Sequence, residues 1–226
     1  MQIYKDLIQW EPEWLAIRKW VITWTKLEWV LGWPKAQLTE MYSLLAEKYL
    51  VEEDLRPFEI IERWHELEPI AKAKYEAMFL NGRKIVEVGF VLKNEWLGLS
   101  PDWLIKTWYH PLTKLPNGKY STITDDIYWK AIEIKCPRGK NYIKYMLENK
   151  IPDEYKWQVV NYFVVIDDLQ ELDFVIYNPD VCEGLKDLHV ITVKREELQK
   201  DIEKAQERLT EFKKDWDNMN DLLMKK

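Results

Sequence analysis

Asp102, Glu133, Lys135, Glu68 and Gln158 are the residues of this sequence whose types and spacing could do chemistry together. Asp102 follows Ser100 and Pro101 at the end of a strand-like run, and Glu133-Ile134-Lys135 sits inside a second one. Alternate side chains of a strand share a face, so Glu133 and Lys135 point the same way. Two carboxylates, Asp102 and Glu133, with the Ile134 carbonyl, offer hard oxygen ligands for Mg²⁺, and a site of that kind also accepts Mn²⁺. Such an ion polarises a scissile phosphate and lowers the pKa of a bound water. Lys135 beside it could position that water and offset charge on a pentavalent transition state. A lysine in an apolar run is costly to bury unless paired, and Glu133, Glu68 and a phosphate are suitable partners. The chemistry that wants this set is metal-dependent phosphodiester hydrolysis. The short D…ExK pattern taken alone also fits a Glu–Lys pair on a strand surface.

Several elements must position these groups. A short helix is expected at about 12–18. Residues 36–50 place Leu38, Met41, Leu45 and Tyr49 on one face of an amphipathic helix. A longer helix over 57–80 carries Glu68, with Pro57 at its start and Asn81–Gly82 after its end. IVEVGFVL (85–92) reads as a strand, 95–106 as one or two more, and IYWKAIEIKCP (127–137) as a strand buried on both faces. Helices follow near 138–148 and 153–166, then strands at 174–179 and 189–193. From Leu198 to Leu223 apolar residues recur in alternating steps of three and four, which predicts a long C-terminal helix, packed on its own domain or on a partner. The order predicts one α/β domain over 1–226, with a core at about 10–195 and the long helix at about 195–226. The expected architecture is a three-layer sandwich with a central mixed sheet between helices.

Composition narrows the partners. The chain has 226 residues and a formal charge of −6, which excludes a wholly basic nucleic-acid binder but leaves room for a locally basic groove. Two cysteines, Cys136 and Cys182, cannot build a disulfide framework, a four-cysteine zinc site or an iron–sulfur cluster. The first residues lack an apolar signal core and no run approaches a membrane span, so a cytoplasmic protein is expected. Thirteen tryptophans are an unusual number, and composition does not separate core rings from rings facing a ligand or subunit.

The catalytic set resembles the PD-(D/E)xK nuclease superfamily, and the whole chain resembles the YqaJ-type viral recombinase, or phage lambda exonuclease, family. The likeness runs from about Trp14 to Glu197 and rests on eight ordered segments. Trp14, Arg18 and Ile22-Thr23-Trp24-Thr25 resemble the family's W…R…ITAS segment, and YSLLAE (42–47) the helix after it. Trp64 to Pro69 with Tyr75-Glu76 looks like the G-x-x-x-E-P…YE helix. SPDWL (100–104) looks like SPDGL, IEIKCP (132–137) is similar to LELKCP, and YKWQVV (155–160) resembles YxxQVQ. IYNPD (176–180) and LHVITVKREE (188–197) resemble the closing strands.

The resemblance implies a 5′-to-3′ exonuclease on double-stranded DNA. It would release 5′-mononucleotides and leave 3′ single-stranded tails for a single-strand annealing protein. It implies Asp102, Glu133 and the Ile134 backbone as metal ligands and Lys135 as the catalytic lysine. Glu68 would assist through a water or from behind the ligands, and Gln158 would orient Lys135 or the scissile phosphate. Arg18 and Thr25 would hold a 5′-phosphate. A ring-shaped homotrimer is also implied. Trp24, Trp64 and Trp103 depart from the family's small residues and could reshape the DNA channel or fill core space. The stretch 106–126, with Trp108, Tyr109, His110 and an Asn117–Gly118 turn, reads as a hairpin insertion. Arg138–Lys150 mixes basic and aromatic residues in a way that suits a phosphate backbone or an ordinary solvated helix face. Cys136, His65, His110 and His189 read as structural or solvated. Two rival readings are an endonuclease of the same fold and a non-catalytic DNA-binding or host-interaction protein.

Overall fold

The structure, a computed structural model, describes residues 1–49, 58–80, 85–106, 112–114, 120–122 and 128–225. Pro57, Asn81–Gly82, Trp108–His110 and Asn117–Gly118 lie outside these residues.

In chain order the elements are β1 (Gln2–Tyr4), α1 (Pro12–Arg18), α2 (Trp24–Val30), α3 (Pro34–Tyr49) and α4 (Phe58–Phe79). Then come β2 (Ile85–Val86), β3 (Phe90–Asn94), β4 (Leu97–Leu99), β5 (Trp103–Lys106), β6 (Leu112–Lys114), β7 (Tyr120–Thr122) and β8 (Tyr128–Lys135). The last part holds α5 (Gly139–Glu148), α6 (Lys156–Val165), β9 (Glu171–Tyr177), β10 (Leu188–Lys194) and α7 (Gln199–Met224).

The main sheet has five strands in the order β10-β9-β8-β5-β2. β8 and β9 run parallel and the other pairs antiparallel, so the sheet is mixed as expected. A parallel pair needs a long crossover, and α5 and α6 supply it. The two faces of β8 separate cleanly. Ile132 and Ile134 pack under α4 with Leu67, Ala71 and Tyr75, and with Trp103 and Val175. Ala131 packs on the opposite face with Leu172, Phe174, Ile176 and the residues of α6. By alternation Glu133 and Lys135 share that second face.

Helix α6 is buried all round, from Gln158 to Val165. It lies between the sheet and a layer formed by α2 and α7. A helix covered on every side shows no amphipathic stripe, and α6 reads as a nearly continuous apolar run. Its C-terminal carbonyls are closed by two cations. The Arg195 guanidinium donates to the carbonyls of Phe163, Ile166 and Leu169 at 2.6–2.8 Å, and Lys93 Nζ donates to Val164 at 2.6 Å. The α7 stripe packs on its own chain through Ile202, Ala205, Leu209, Phe212 and Trp216, while Leu223 is exposed.

Sequence expectations are corrected at three places: residues 85–92, helix α2 and Leu38. Residues 85–92 are not one strand: β2 joins the main sheet, whereas β3 pairs with β1 and β4 in a separate three-stranded sheet. The break falls at Gly89, where a Cβ would lie 1.9 Å from the Leu7 carbonyl oxygen, so the N-terminal segment crosses there with no room for a side chain. Of the one or two strands expected over 95–106 there are two, β4 and β5, in different sheets, with Ser100-Pro101-Asp102 at the junction. Pro101 has no N–H to give a ladder. Finally, α2 exists where no helix was expected, and Leu38 is exposed although Met41 and Leu45 of the same helix are buried. The 106–126 stretch does hold an antiparallel pair, β6 with β7.

Candidate active site

The ends of β5 and β8 bring Asp102 and Glu133 together beneath α6. The last register pair of that ladder is Trp103 with Ile132, so Asp102 and Glu133 stand just past its end. Asp102 Oδ2 accepts the Ile134 N–H at 2.7 Å, which ties the two motif segments directly. The N–H and carbonyl of an extended residue lie on the same strand edge, so the Ile134 carbonyl also faces the Asp102 side. Both carboxylates are deeply buried, Asp102 at 8% and Glu133 at 1% exposure.

Glu133 is gripped by three donors. Its Oε1 accepts Lys135 Nζ and Gln158 Nε2, both at 2.5 Å, and its Oε2 accepts the Tyr162 hydroxyl. The same Tyr162 oxygen accepts the Asp102 N–H at 3.3 Å. Gln158 and Tyr162 are one helical turn apart on α6, and therefore reach the carboxylate from one face. Lys135 Nζ also lies 5.1 Å from the centre of the Tyr155 ring, within cation–π range. Glu68 enters from α4 and is half-buried, within electrostatic reach of Glu133, Asp102 and Lys135.

Three carboxylates in so small a volume perturb one another. Asp102 is pushed well above the usual carboxylate range, first by burial and then by the charges of Glu133 and Glu68. Glu68 is pushed up to about 7 by burial and by Glu133, against the pull of Lys135. Burial pushes the Lys135 ammonium down, but the charges of Glu133 and Asp102 outweigh it, so the proton is held more tightly than on a free lysine. One cation thus faces three carboxyl groups, and it cannot balance them all once they ionise. Gln158 Oε1, also buried, has no partner. Excess carboxylate charge, an unpartnered amide oxygen and a main-chain carbonyl form an all-oxygen donor set that fits Mg²⁺ or Mn²⁺. No group of three His, Cys, Asp or Glu side chains among the described residues is placed to hold a metal by side chains alone. The fit rests on two carboxylates and the carbonyl.

The N-terminal segment reaches the same corner. Ile22 bridges Leu97, and the Trp14 indole N–H donates to the Gly89 carbonyl at 3.0 Å and to Ser100 Oγ at 3.1 Å. Arg18 lies over the Trp14 ring at 4.1 Å and donates to Ser100 Oγ at 3.0 Å. Arg18 therefore meets the loop at Ser100, two residues before Asp102 in sequence. Thr25 is exposed, and its hydroxyl lies 3.2 Å from that of Thr23 rather than against Arg18 or the carboxylates.

Trp103 fills core space. It is buried under α4, and Lys72 lies 5.1 Å from its ring centre. Its indole donates to Glu87, which is held below the usual carboxylate range, first by Lys72. Trp24 is half-buried at the start of α2. The Trp64 and His65 side chains lie outside the described residues. Cys136 is half-buried, and His189 faces Asn149 Oδ1 at 2.8 Å. The outer face of α5 exposes Arg138, Lys140 and Lys144 directly after β8. Sequence reasoning missed Tyr162, because nothing in an apolar helix marks which residue meets the sheet.

The pattern that defines the YqaJ-like viral recombinase domain matches residues 13–167. Among solved structures, the chain is similar to an alkaline exonuclease, LHK-Exo, from Laribacter hongkongensis, at 22% identity and a TM-score of 0.68, over 95% of this chain and 99% of that one. The same exonuclease in complex with dAMP gives a TM-score of 0.69 at the same identity and coverage. A phage-related exonuclease from Haemophilus somnus 129PT is similar at 15% identity and a TM-score of 0.56, over 90% of this chain and 96% of that one. No curated protein matches the chain.

Proposed function

The chain belongs to the YqaJ-like viral recombinase domain family, and from that premise we propose that it is a Mg²⁺-dependent exonuclease that degrades the 5′-ended strand of duplex DNA. The observation that carries this reading is the buried cluster in which Asp102, Glu133, Lys135 and Gln158 meet at the end of β8. In this reading Asp102, Glu133 and the Ile134 carbonyl hold the ion, which when bound polarises the scissile phosphate and makes a water acidic. Mn²⁺ can replace Mg²⁺ in such a set.

The chain's own groups do the rest. Lys135 keeps its proton between two carboxylates, so its ammonium is charged when a phosphate arrives and offsets charge developing in the transition state. Gln158 Nε2 fixes the Glu133 carboxylate, and its unpartnered Oε1 is free to orient a water. Glu68, near neutrality, can accept or return a proton at working pH. Arg18, held by Trp14 and Ser100, is placed to meet a terminal phosphate beside Asp102. Thr25 belongs to the same 5′-phosphate pocket only if DNA brings α2 closer to Arg18.

The products are 5′-mononucleotides and a 3′ single-stranded tail, the substrate of a single-strand annealing protein. The working assembly is a homotrimer in the cytoplasm of a phage host. The deciding experiment compares linear duplex carrying a 5′-phosphate with a covalently closed circle, both with Mg²⁺, beside a Lys135→Ala control. Mononucleotides from linear DNA alone, and none from the variant, support the reading. A cut circle would convert it to an endonuclease, and tight metal-independent binding without turnover would convert it to a binding protein.

A further inference from the structure

We propose that Tyr162 is a positioning residue of this site, whose phenol fixes Glu133 and the Asp102 main chain relative to one another and so sets the affinity for the divalent cation. The proposal rests on the reading of Asp102 and Glu133 as metal ligands.

The hydrogen bonds at Glu133 carry the argument. A carboxylate oxygen offers about two acceptor directions. Glu133 Oε1 uses both, on Lys135 and Gln158, each at 2.5 Å. Glu133 Oε2 uses one, on the Tyr162 hydroxyl, and keeps one. Asp102 Oδ2 accepts the Ile134 N–H at 2.7 Å. The capacity left toward a cation therefore lies on Glu133 Oε2 and on Asp102, which are the two residues that Tyr162 joins. The phenol donates to the first and accepts from the main chain of the second, at 3.3 Å. A hydroxyl can do both at once, and an amide or ammonium in its place could not do so from one atom.

The surroundings leave no substitute. Tyr162 is 2% exposed, and its neighbours Val159, Val160 and Phe163 are as deeply buried. Without the hydroxyl, the Asp102 N–H loses its acceptor and Glu133 Oε2 its donor, in a place solvent does not reach. Groups that hold metal ligands in this way typically change metal affinity by roughly 10–100-fold when removed.

The test compares the parent chain with Tyr162→Phe and with Val160→Ala, a buried apolar substitution on the same helix. Mn²⁺ binding is measured without DNA, by the loss of the free-ion paramagnetic resonance signal, and kcat and KM for linear duplex are measured across Mn²⁺ concentrations. The expected result is a roughly 10–100-fold weaker Mn²⁺ affinity in Tyr162→Phe. Its kcat falls at low Mn²⁺ and recovers at high Mn²⁺, its KM for DNA is unchanged, and Val160→Ala keeps the parent affinity. Equal Mn²⁺ affinity in the parent and Tyr162→Phe overturns the proposal and leaves the metal reading standing. Equal weakening by Val160→Ala also overturns it, because the effect would then be general loosening of the helix. A parent that binds no Mn²⁺ overturns the metal reading and the proposal with it.

Discussion

Arg18 and Ser100 are joined by a 3.0 Å hydrogen bond across 82 residues of sequence, and this bond ties the N-terminal helix to the loop that carries Asp102. Trp14 reinforces it from below, by its indole hydrogen bond to the same hydroxyl and by its ring under the guanidinium. In the proposed reading, this fixed cation is what meets a phosphate on an otherwise acidic chain.

Arg18→Ala is expected to lower the preference for 5′-phosphorylated over 5′-hydroxyl ends by roughly tenfold or more, the worth of a hydrogen bond to a charged group. Single-turnover degradation of the two ends reads this directly. An unchanged ratio would move the phosphate pocket elsewhere.

Lys135→Ala is expected to reduce kcat by roughly 10²–10³-fold, the usual cost of removing one transition-state donor. Gln158→Ala should cost less, roughly tenfold, because it acts by holding Glu133. If Gln158→Ala proved as damaging as Lys135→Ala, the amide would have to touch substrate itself.

Asp173 makes a stability prediction away from the chemistry. It is buried in β9, accepts hydrogen bonds from Tyr75 and from Thr192 at 2.7 Å, and pairs with Lys130 at 2.9 Å. Asp173→Ala leaves Lys130 with a weaker partner, Glu171 at 3.3 Å, and is expected to cost about 3–5 kcal/mol in denaturant unfolding. A loss near zero would mean that water reaches Lys130.

Glu40 predicts a pH dependence. Its carboxyl is pushed up to about 7 by burial, with Lys26 pulling it down and Glu47 adding to the rise. The folded value exceeds the unfolded one of 4.5, so its stabilising contribution is complete below about pH 4.5 and is lost as pH rises through 7. Glu40→Gln should therefore gain stability over the parent at pH 8 and none at pH 4. The gain is of order 1 kcal/mol once solvent screening is allowed for. Melting curves at the two pH values check it.

The Glu133–Lys135 part of the candidate site was legible in the sequence because it lies on a strand and obeys a period of two. Glu133 and Lys135 share a face for that reason alone, and Asp102 falls where Pro101 ends a strand. The α7 stripe was legible because it obeys a helical period. What was not legible depended on tertiary context. The break at Gly89 comes from the backbone of Leu7 crossing it, a contact no local pattern announces. Helix α2 holds Trp, Thr and Val, which are indifferent helix formers, and it is secured by packing against α6 and α3. Tyr162 was hidden because α6 is buried on every side, so the position of its hydroxyl carries no periodic signal.

The burial of α6 has a consequence for hydrogen exchange. Amides open locally where few buried groups must be disturbed, and the slowest exchange only when the whole molecule unfolds. The helix that carries Gln158 and Tyr162 is enclosed by the sheet, α2 and α7, and its end is sealed by Arg195 and Lys93. Its amides should be among the last to exchange, at the free energy of global unfolding. The groups that hold Glu133 then have no partly open state of their own, and their geometry persists for as long as the molecule stays folded.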